Sequence, residues 1–480
     1  MKKIILKYIV LIISLFILFL SLYIVNRFNS VSFEQLLHSV FTSKGTSYDS
    51  IITGGIYISI CIIVALSIIF IVKKILNKLY EKKLITKNKY IYNIALIIFS
   101  TSSIVISLNL LNMTEYIYTQ TKESNLIKEY YINPKDVDIT FPEKKKNLIY
   151  IYVESLEMSA ASTDSGGALD KSIIPNLEKL ALNNTNFSNT KKLGGALAIT
   201  GTTWTAAAMI SHTSGIPLKL PISFEEYDLT FPNIYNLGDI LSDNGYNNYL
   251  MIGSNAEFGA RKDYFVKHGN YTIYDYLYAK EEGLIDKNYF EWWGYEDKKL
   301  FEFAKDKLTE ISKKDEPFNF TMLTADTHFT DGYLDSSCDE IFDEQYKNVF
   351  YCSDSMVYKF IKWIEKQDFY KDTVIIITGD HLTMQSDLYK NISSDYDRNI
   401  YNVFINSEVE PKKDKERLFT TYDMFPTTLA SLGVKIKGNK LGLGVNLYSN
   451  KKTIIEKLGY EYVNEELKKN SKFYNNKLLK

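Results

Sequence analysis

Three long apolar segments dominate the first quarter of the chain. They cover residues 4–25, 51–72 and 91–112, and each is close to the roughly 20 apolar residues that a helix needs to cross a bilayer. The third segment is diluted by Ser and Asn, so a buried helix of a soluble domain is an alternative for it. The pattern predicts three transmembrane helices.

Charged residues around these segments predict the orientation. The loop 73–90 contains seven lysines and one acidic residue, and Lys2 and Lys3 precede the first segment. Because short loops rich in lysine are retained on the cytoplasmic side, this loop and the N-terminus are predicted to be cytoplasmic. Everything after about residue 113 is then predicted to lie outside the cytoplasm.

A different pattern begins at residue 147, after a polar stretch (113–146) that we interpret as a juxtamembrane helix and linker. Short apolar runs alternate with helical stretches up to residue 447, which is typical of an α/β domain with a largely parallel sheet. The predicted strands are 147–153, 247–252, 318–323, 373–378 and 401–405. The predicted helices are 174–183, 203–212, 234–244, 296–313, 349–367 and 422–432. Residues 448–480 are predicted to be a helical tail, with Lys468–Lys480 as a solvated end.

Composition narrows the possible partners. The 480 residues include 56 basic and 57 acidic ones, so the chain lacks the basic field of a nucleic-acid-binding protein and no such partner is expected. Of the three cysteines, Cys61 lies in the second apolar segment. Cys338 and Cys352 lie close together in the outer domain, where an oxidising compartment would permit a disulfide, and two free buried thiols are the alternative.

Polar residues follow four of the predicted strands at their carboxyl ends, where ligands gather in open α/β sheets. Glu154 follows the first strand, Arg261 comes soon after the second, His328 after the third, and Asp380 and His381 after the fourth. Each residue alone has an ordinary interpretation as a cap, a turn residue or a surface side chain. Together, carboxylates and imidazoles at one sheet edge suit a divalent transition metal such as manganese or zinc.

A loop rich in hydroxyl groups precedes the predicted helix 203–212. Residues 201–205 have the sequence GTTWT and are followed by an Ala-rich run. The N-terminus of a helix carries free N–H groups that attract anions, so a threonine there could be a nucleophile that receives a phosphoryl group. The loop alone favours a simple helix cap. The residues at the strand ends favour the nucleophile.

Four motifs occur in an order that resembles the sulfatase/alkaline-phosphatase superfamily. They are NLIYIYVESLE, GTTWTAAAMISHTSGIPL, TADTHFTDGY and VIIITGDHLTM. Within that superfamily the chain resembles the membrane-anchored phosphoglycerol transferases, which include phosphoglycerol transferase I and lipoteichoic acid synthase. The stretch YDMFPTTLASLGVKIKGNKLGLGVNL is similar to the phosphoglycerol transferase I branch in particular. The resemblance covers residues 147–447 and implies a sulfatase-like α/β catalytic domain.

The resemblance implies a metal site. Glu154, Asp380 and His381 match the metal ligands of the family, and Thr202 matches its usual fourth ligand. Manganese is the expected ion, with magnesium and zinc as alternatives. The resemblance also implies a multi-pass protein of the bacterial cell membrane whose catalytic domain is extracytoplasmic.

The resemblance further implies a reaction. The phosphoglycerol group of phosphatidylglycerol in the membrane would pass to a glycan or teichoic-acid-like (polyglycerol-phosphate) acceptor, through a covalent intermediate on a threonine. The Gly-Thr start of the loop favours Thr202 as the nucleophile, while a Gly-x-Thr spacing favours Thr203. Arg261 and His328 match residues that contact the phosphoryl or glycerol-phosphate group, and His328 could also protonate the leaving oxygen.

Two other functions remain as alternatives. A phosphoethanolamine transferase would use the same metal and threonine chemistry, and an inactive membrane-tethered binding protein could retain the fold. Hydrolysis of sulfate esters is disfavoured because the chain has no Cys-x-Pro-Ser-Arg type sequence. The pair Cys338 and Cys352 is placed as in the family, so we expect it to form a disulfide.

Overall fold

The chain divides into two units. The first comprises residues 1–37 and 46–119, and the second comprises residues 38–45 and 120–480. The computed structural model describes residues 2–28, 31–46, 48–83, 89–221 and 228–480.

The first unit is helical and apolar. Its helices are α1 (Lys2–Phe28), α2 (Phe33–Phe41), α3 (Tyr48–Glu81), α4 (Lys89–Leu110) and α5 (Met113–Gln120), of which α2 and α5 end in residues that belong to the second unit. In the described part of the chain, α1, α3 and α4 are long and apolar enough to cross a membrane, and they coincide with the three predicted segments. Side chains such as Ile63 and Ile97 are more than half exposed, which a lipid environment explains and water does not. The chain is therefore a membrane protein.

A six-stranded sheet organises the second unit. Its strands are β1 (Asn147–Val153), β2 (Asn247–Ile252), β3 (Thr272–Tyr274), β4 (Phe318–Leu323), β5 (Thr373–Gly379) and β6 (Asn402–Ile405). They are arranged in the order β3-β2-β4-β1-β5-β6, and all neighbours are parallel except β5 and β6. The predicted fold class and five of these strands are confirmed. The short edge strand β3 was not predicted.

The central strands are apolar on both faces because helices cover both sides of the sheet. In β1, Leu148, Tyr150 and Tyr152 face one core and Ile149 and Ile151 face the other. The first core contains side chains of the helices Thr205–Ser214, Leu237–Asp243 and Met424–Ser431, and the second contains side chains of the helices Pro175–Asn183, Asp297–Ile311 and Gln345–Ile364. This arrangement puts the carboxyl ends of β1, β4 and β5 side by side at one edge.

In the described part of the chain, twelve helices of five to twenty residues surround the sheet or extend from it. They are α6 (Leu126–Tyr130), α7 (Pro175–Asn183), α8 (Thr205–Ser214), α9 (Leu237–Asp243), α10 (Arg261–Lys267), α11 (Tyr276–Glu281), α12 (Asp297–Ile311), α13 (Gln345–Ile364), α14 (Met424–Ser431), α15 (Ile454–Leu458), α16 (Tyr460–Lys468) and α17 (Lys472–Lys477). The six predicted helices correspond to α7, α8, α9, α12, α13 and α14. Helix α8 begins two residues later than predicted, which matters for the site.

The two stretches outside the predicted catalytic domain also contribute to its core. Leu126 in the predicted linker and Val463 in the predicted tail are buried with the side chains of β1. The interpretation of Lys468–Lys480 as a solvated end is wrong for its apolar residues, because Tyr474 and Leu479 are at most 1 % exposed. The apolar positions were too widely spaced for a helical pattern to show in so short a segment.

A disulfide links Cys338 to Cys352, with 5.7 Å between the two Cα atoms. It joins the segment after β4 to helix α13. The expected bond is therefore confirmed. Cys61 is free and buried.

Candidate active site and metal centre

Three of the predicted ligands converge at the carboxyl ends of β1 and β5. His381 Nε2 lies 3.3 Å from Glu154 Oε1 and 3.4 Å from Asp380 Oδ2. All three side chains are buried, and one ligand atom from each lies within 4.8 Å of the others. Two adjacent parallel strands, each followed at once by an acid, produce this cluster.

The backbone orients the cluster for a ligand. Asp380 Oδ1 accepts hydrogen bonds from the backbone N–H groups of Ser155 and His381, both at 2.8 Å. Asp380 Oδ2 is buried and accepts no hydrogen bond in the described part of the chain. His381 Nδ1 lies 2.8 Å from the Leu382 carbonyl oxygen, which keeps a proton on Nδ1 and directs Nε2 at the two acids.

The backbone at Ser155 is strained, and the residues around it hold Glu154 in place. Ser155 has φ of 58°, a left-handed conformation that a serine adopts only when its surroundings impose it. Its hydroxyl donates to Glu154 Oε1 at 2.9 Å. The end of β4 supplies two more bonds, because the Glu154 N–H donates to the Thr324 hydroxyl and the Thr327 hydroxyl donates to the Glu154 carbonyl. Glu154 is thus held in place before any ligand binds.

Burial and charge oppose each other in this cluster. Burial raises the pKa of Asp380, and the negative charge of Glu154 raises it further. Burial would also raise the pKa of Glu154, but the positive charge of His381 and a hydrogen bond to it hold that pKa well below its ordinary range. Burial lowers the pKa of His381, yet the two carboxylates outweigh burial and raise it. The single positive charge of His381 does not compensate two buried carboxylates.

The donor set fits a divalent metal ion. One cation could bind three groups here. They are a buried carboxylate oxygen without a partner, a second carboxylate and an imidazole nitrogen that faces both. Glu154, Asp380 and His381 could therefore hold a divalent metal ion together.

The structure brings Thr205 to this cluster, and not Thr202 or Thr203. The Thr205 hydroxyl donates to Glu154 Oε2 at 3.2 Å and lies 3.4 Å from His381 Nε2. The Thr202 hydroxyl instead donates to the Ile199 carbonyl at 2.8 Å, in a fully buried position. The structure therefore places the hydroxyl of Thr205, and not that of the predicted Thr202, within reach of the three candidate ligands.

The geometry of the loop explains this placement. Gly201 has φ of 78°, and a Cβ atom there would lie 2.6 Å from the Cβ of Pro217, so only glycine fits this bend. Trp204 is still extended, and Thr205 is the first residue of α8. A signal was present in the sequence, since Thr205 is the last hydroxyl before the Ala run. The bend between Gly201 and Trp204 was not visible.

Arg261 lies beside the cluster with one nitrogen available. Its Nε donates to the Phe258 carbonyl, and its Nη2 donates to the Asn255 carbonyl and to the Ser254 hydroxyl. Nη1 makes no hydrogen bond within the described residues. Burial lowers the pKa of Arg261 to about 10, while the charge of Glu154 raises it, so the side chain remains a fixed cation near the acids.

His328 lies in the same electrostatic field. Its Nδ1 is 2.6 Å from the Phe329 carbonyl oxygen, so Nε2 is its exchangeable nitrogen. Burial lowers the pKa of His328, the charge of Glu154 opposes burial, and His381 and Arg261 lower the pKa further. Of the seven predicted site residues, the structure brings five together: Glu154, Arg261, His328, Asp380 and His381.

Aromatic rings that were not predicted line the approach to His328. The ring centroid of Trp293 lies 4.7 Å from that of His328 and 6.2 Å from that of Phe258. Trp293 is partly exposed and sits in a turn whose preceding residue, Trp292, has φ of 55°. Trp292 Nε1 donates to the Ala325 carbonyl at 2.9 Å and so fixes the turn. A bulky residue at positive φ is an unusual signal that only a structure reveals.

Curated phosphoglycerol transferases are similar to this chain in sequence. The chain is 32 % identical over 367 residues to phosphoglycerol transferase I of Shigella flexneri and, equally, of Escherichia coli (strain 55989). Each alignment covers 74 % of this chain and 45 % of the relative, so the chain spans about half the length of these curated relatives.

Two solved structures share the fold. The lipoteichoic acid synthase LtaP of Listeria monocytogenes has a TM-score of 0.52 at 18 % identity, covering 68 % of this chain and 82 % of LtaP. The lipooligosaccharide phosphoethanolamine transferase EptA of Neisseria meningitidis has a TM-score of 0.52 at 14 % identity, covering 90 % and 84 %. A sequence model of the family described as Sulfatase matches residues 146–434, which include every residue of the cluster. The chain belongs to the sulfatase family.

Proposed function

We propose that this protein is a phosphotransferase that moves the phosphoglycerol group of phosphatidylglycerol to a glycan or polyglycerol-phosphate acceptor, through a covalent intermediate on Thr205. The observation that carries the proposal is the position of the Thr205 hydroxyl, at the N-terminus of α8 and in contact with Glu154 and His381. The 32 % identity to proteins named phosphoglycerol transferase I supports the choice of group and donor.

A divalent ion would be held by Glu154, Asp380, His381 and the Thr205 oxygen, with manganese the proposed ion and magnesium or zinc the alternatives. When bound, the cation would lower the pKa of the threonine hydroxyl and so make it a competent nucleophile. The protein side of this activation is geometric. Glu154 Oε2 accepts the Thr205 hydroxyl at 3.2 Å and orients its oxygen before the donor arrives.

The first half of the reaction forms a phosphodiester on Thr205. The threonine oxygen attacks phosphorus, the bond to the diacylglycerol oxygen breaks, and diacylglycerol leaves with a proton. The free N–H groups of the first turn of α8 and Nη1 of Arg261 would bind the non-bridging oxygens, whose charge increases in the transition state.

The second half reverses the exchange. An acceptor hydroxyl attacks the same phosphorus, and the bond to Thr205 breaks. His328 Nε2, whose ring partner Nδ1 is hydrogen-bonded to the Phe329 carbonyl, would relay the proton of the Thr205 hydroxyl to the departing diacylglycerol oxygen in the first half and the proton of the entering hydroxyl back to Thr205 in the second. The rings of Phe258 and Trp293 offer a partly exposed surface on which the face of a sugar ring packs.

The catalytic unit is proposed to lie outside the cytoplasm of a bacterial cell. Three membrane spans and the lysine-rich loop 73–90 support this orientation. A membrane anchor also suits a lipid donor that stays in the bilayer.

The test uses the full chain in phosphatidylglycerol vesicles with manganese. We expect release of diacylglycerol and, with Thr205→Ala, a loss of at least about 10³-fold, which is the range for removal of a nucleophile. Mass spectrometry of the trapped intermediate should place phosphoglycerol on the peptide that contains Thr205. Thr203→Ala is the matched control and should retain activity.

Three results would contradict the proposal in different ways. Diacylglycerol release from phosphatidylethanolamine vesicles only would identify a phosphoethanolamine transferase instead. An adduct on Thr202 or Thr203 would remove Thr205 from its role. Wild-type rates unchanged by Glu154→Gln, with metal binding also unchanged, would indicate an inactive binding protein.

A further inference from the structure

The C-terminal tail (residues 448–480) contacts both loops that flank helix α8. The loop before α8, residues 198–204, has no regular secondary structure and carries the bend at Gly201. The segment after α8, residues 215–219, is likewise irregular. Hydrogen bonds from tail side chains meet the backbone of both segments.

Helix α16 binds the loop in front of α8. Asn464 Oδ1 accepts two hydrogen bonds from one residue, from the Thr200 N–H at 3.0 Å and from the Thr200 hydroxyl at 2.8 Å. The Tyr460 hydroxyl donates to the Ala198 carbonyl at 2.7 Å. These bonds fix backbone groups that have no partner in a strand or helix.

Helix α17 binds the segment behind α8. The Tyr474 hydroxyl donates to the Pro217 carbonyl at 2.9 Å and accepts the Lys219 N–H at 2.9 Å. The two flanking segments also bind each other, because the Leu218 N–H donates to the Gly201 carbonyl at 2.9 Å. The tail therefore fixes both ends of the helix that carries Thr205.

The loop between Thr200, which Asn464 binds, and Thr205 is short and is held by hydrogen bonds. Only four residues, 201–204, lie between Thr200 and Thr205. Within them the Thr202 hydroxyl ties the loop to the Ile199 carbonyl, and Gly201 is locked against Leu218. Because Gly201 and Thr202 are both tied by hydrogen bonds, a shift of Thr200 is passed on toward the Thr205 hydroxyl.

The tail itself is firmly anchored. Val463 and Leu467 of α16 and Tyr474 of α17 are fully or almost fully buried in the core. Asn470, between the two helices, accepts the Ser124 N–H at 2.9 Å and donates to the Lys122 carbonyl at 3.0 Å.

We infer that Asn464 is a positioning residue for catalysis, which acts through Thr200 to hold the Thr205 hydroxyl at the metal centre. The inference rests on the proposed role of Thr205 as nucleophile. Misplacement of a reacting atom by about 1 Å reduces rates by about 10²-fold, so a loosened loop affects turnover more than it affects binding of the donor.

The test compares two substitutions of similar size. Asn464→Asp keeps an oxygen that accepts both Thr200 bonds, and Asn464→Leu removes the acceptor. In the full chain we expect Asn464→Leu to lower kcat for diacylglycerol release about tenfold with little change in KM, and Asn464→Asp to stay near wild type. Tyr462→Ala, on the exposed side of the same helix, is the matched control and should be neutral.

A second measurement does not depend on turnover. Hydrogen–deuterium exchange of the peptide covering residues 198–205 should be faster in Asn464→Leu than in wild type or Asn464→Asp, while the peptide covering β5 exchanges at an unchanged rate. Equal kcat in the Leu and Asp variants, or faster exchange with an unchanged kcat, would overturn the positioning role. Absence of a Thr205 adduct in the wild-type chain would overturn the proposed function itself, which separates the two failures.

Discussion

Two pairs of buried acids lie at the same edge of the sheet and differ in what surrounds them. Asp297 and Asp326, at the start of α12 and after β4, are 1 % and 4 % exposed. Asp297 accepts the N–H groups of Ala325 and Asp326, and Asp326 accepts the N–H of Asp297. Three of the four carboxylate oxygens of this pair are thus bonded to backbone.

In the equally buried pair Glu154 and Asp380, only Asp380 Oδ1 accepts backbone N–H groups, while the two Glu154 oxygens accept the hydroxyls of Ser155 and Thr205. The pair has an imidazole beside it, and Asp380 Oδ2 accepts no hydrogen bond among the described residues. The comparison teaches that buried acids alone do not mark a site. One pair joins two loops through the backbone, while the other keeps an oxygen free for a cation.

Of the three substitutions considered, that of Asp380 should have the largest effect on activity. A small effect would contradict the distinction between the two acid pairs. In Asp380→Asn the side chain keeps its shape but loses the charge that a cation requires, so we expect at least a 10³-fold loss of diacylglycerol release, since metal-centred catalysis of this kind contributes several kcal/mol. Metal content after dialysis, measured by mass spectrometry, should fall below stoichiometric. Full metal retention in this variant would remove Asp380 from the ligand set.

Substitution of Asp297 should instead affect stability. Asp297→Ala leaves the buried amides of Ala325 and Asp326 without an acceptor, which should lower the free energy of unfolding by about 2–3 kcal/mol. Urea unfolding in detergent measures this change. Metal content should equal that of wild type, and a variant that lost its metal while keeping its stability would show that the two acid pairs do not differ as described.

The smallest expected effect comes from Ser155, whose hydroxyl donates to Glu154 Oε1. Ser155→Ala should weaken metal affinity about tenfold, because groups that orient a ligand typically contribute 10–100-fold. Ser155→Gly is the matched control, since glycine also lacks the hydroxyl but adopts φ of 58° without strain. Both variants should bind metal equally, and wild-type affinity in either would mean that the hydroxyl does not orient Glu154.

Much of the fold was predictable because it depends on local patterns of apolar and polar residues. β1 and β5 are runs of large apolar and β-branched residues, and their positions followed directly. The acids that end these strands had to meet because parallel neighbours end at the same edge. The metal cluster was therefore accessible from sequence once the strands were placed.

The parts that could not be predicted depend on tertiary contacts. The position of Thr205 follows from the bend at Gly201, which is set by the approach of Pro217 and Leu218. Likewise, the turn that presents Trp293 relies on a bond from Trp292 to the end of β4. Neither contact produces a periodic pattern of residues in the sequence.

The tail contacts also change where this protein should be cut. The family match ends at residue 434, and the resemblance by motif ends at residue 447. An expression fragment ending at either point would retain every side chain of the metal cluster, yet it would lack Asn464 and Tyr474 and expose the apolar surface they leave behind. Fragment libraries and domain fusions built on the matched segment would therefore yield a protein that keeps the acids and the histidine of the cluster but loses the contacts that hold the loop before Thr205. Such work should keep the chain at least as far as Leu479, which is fully buried in the core.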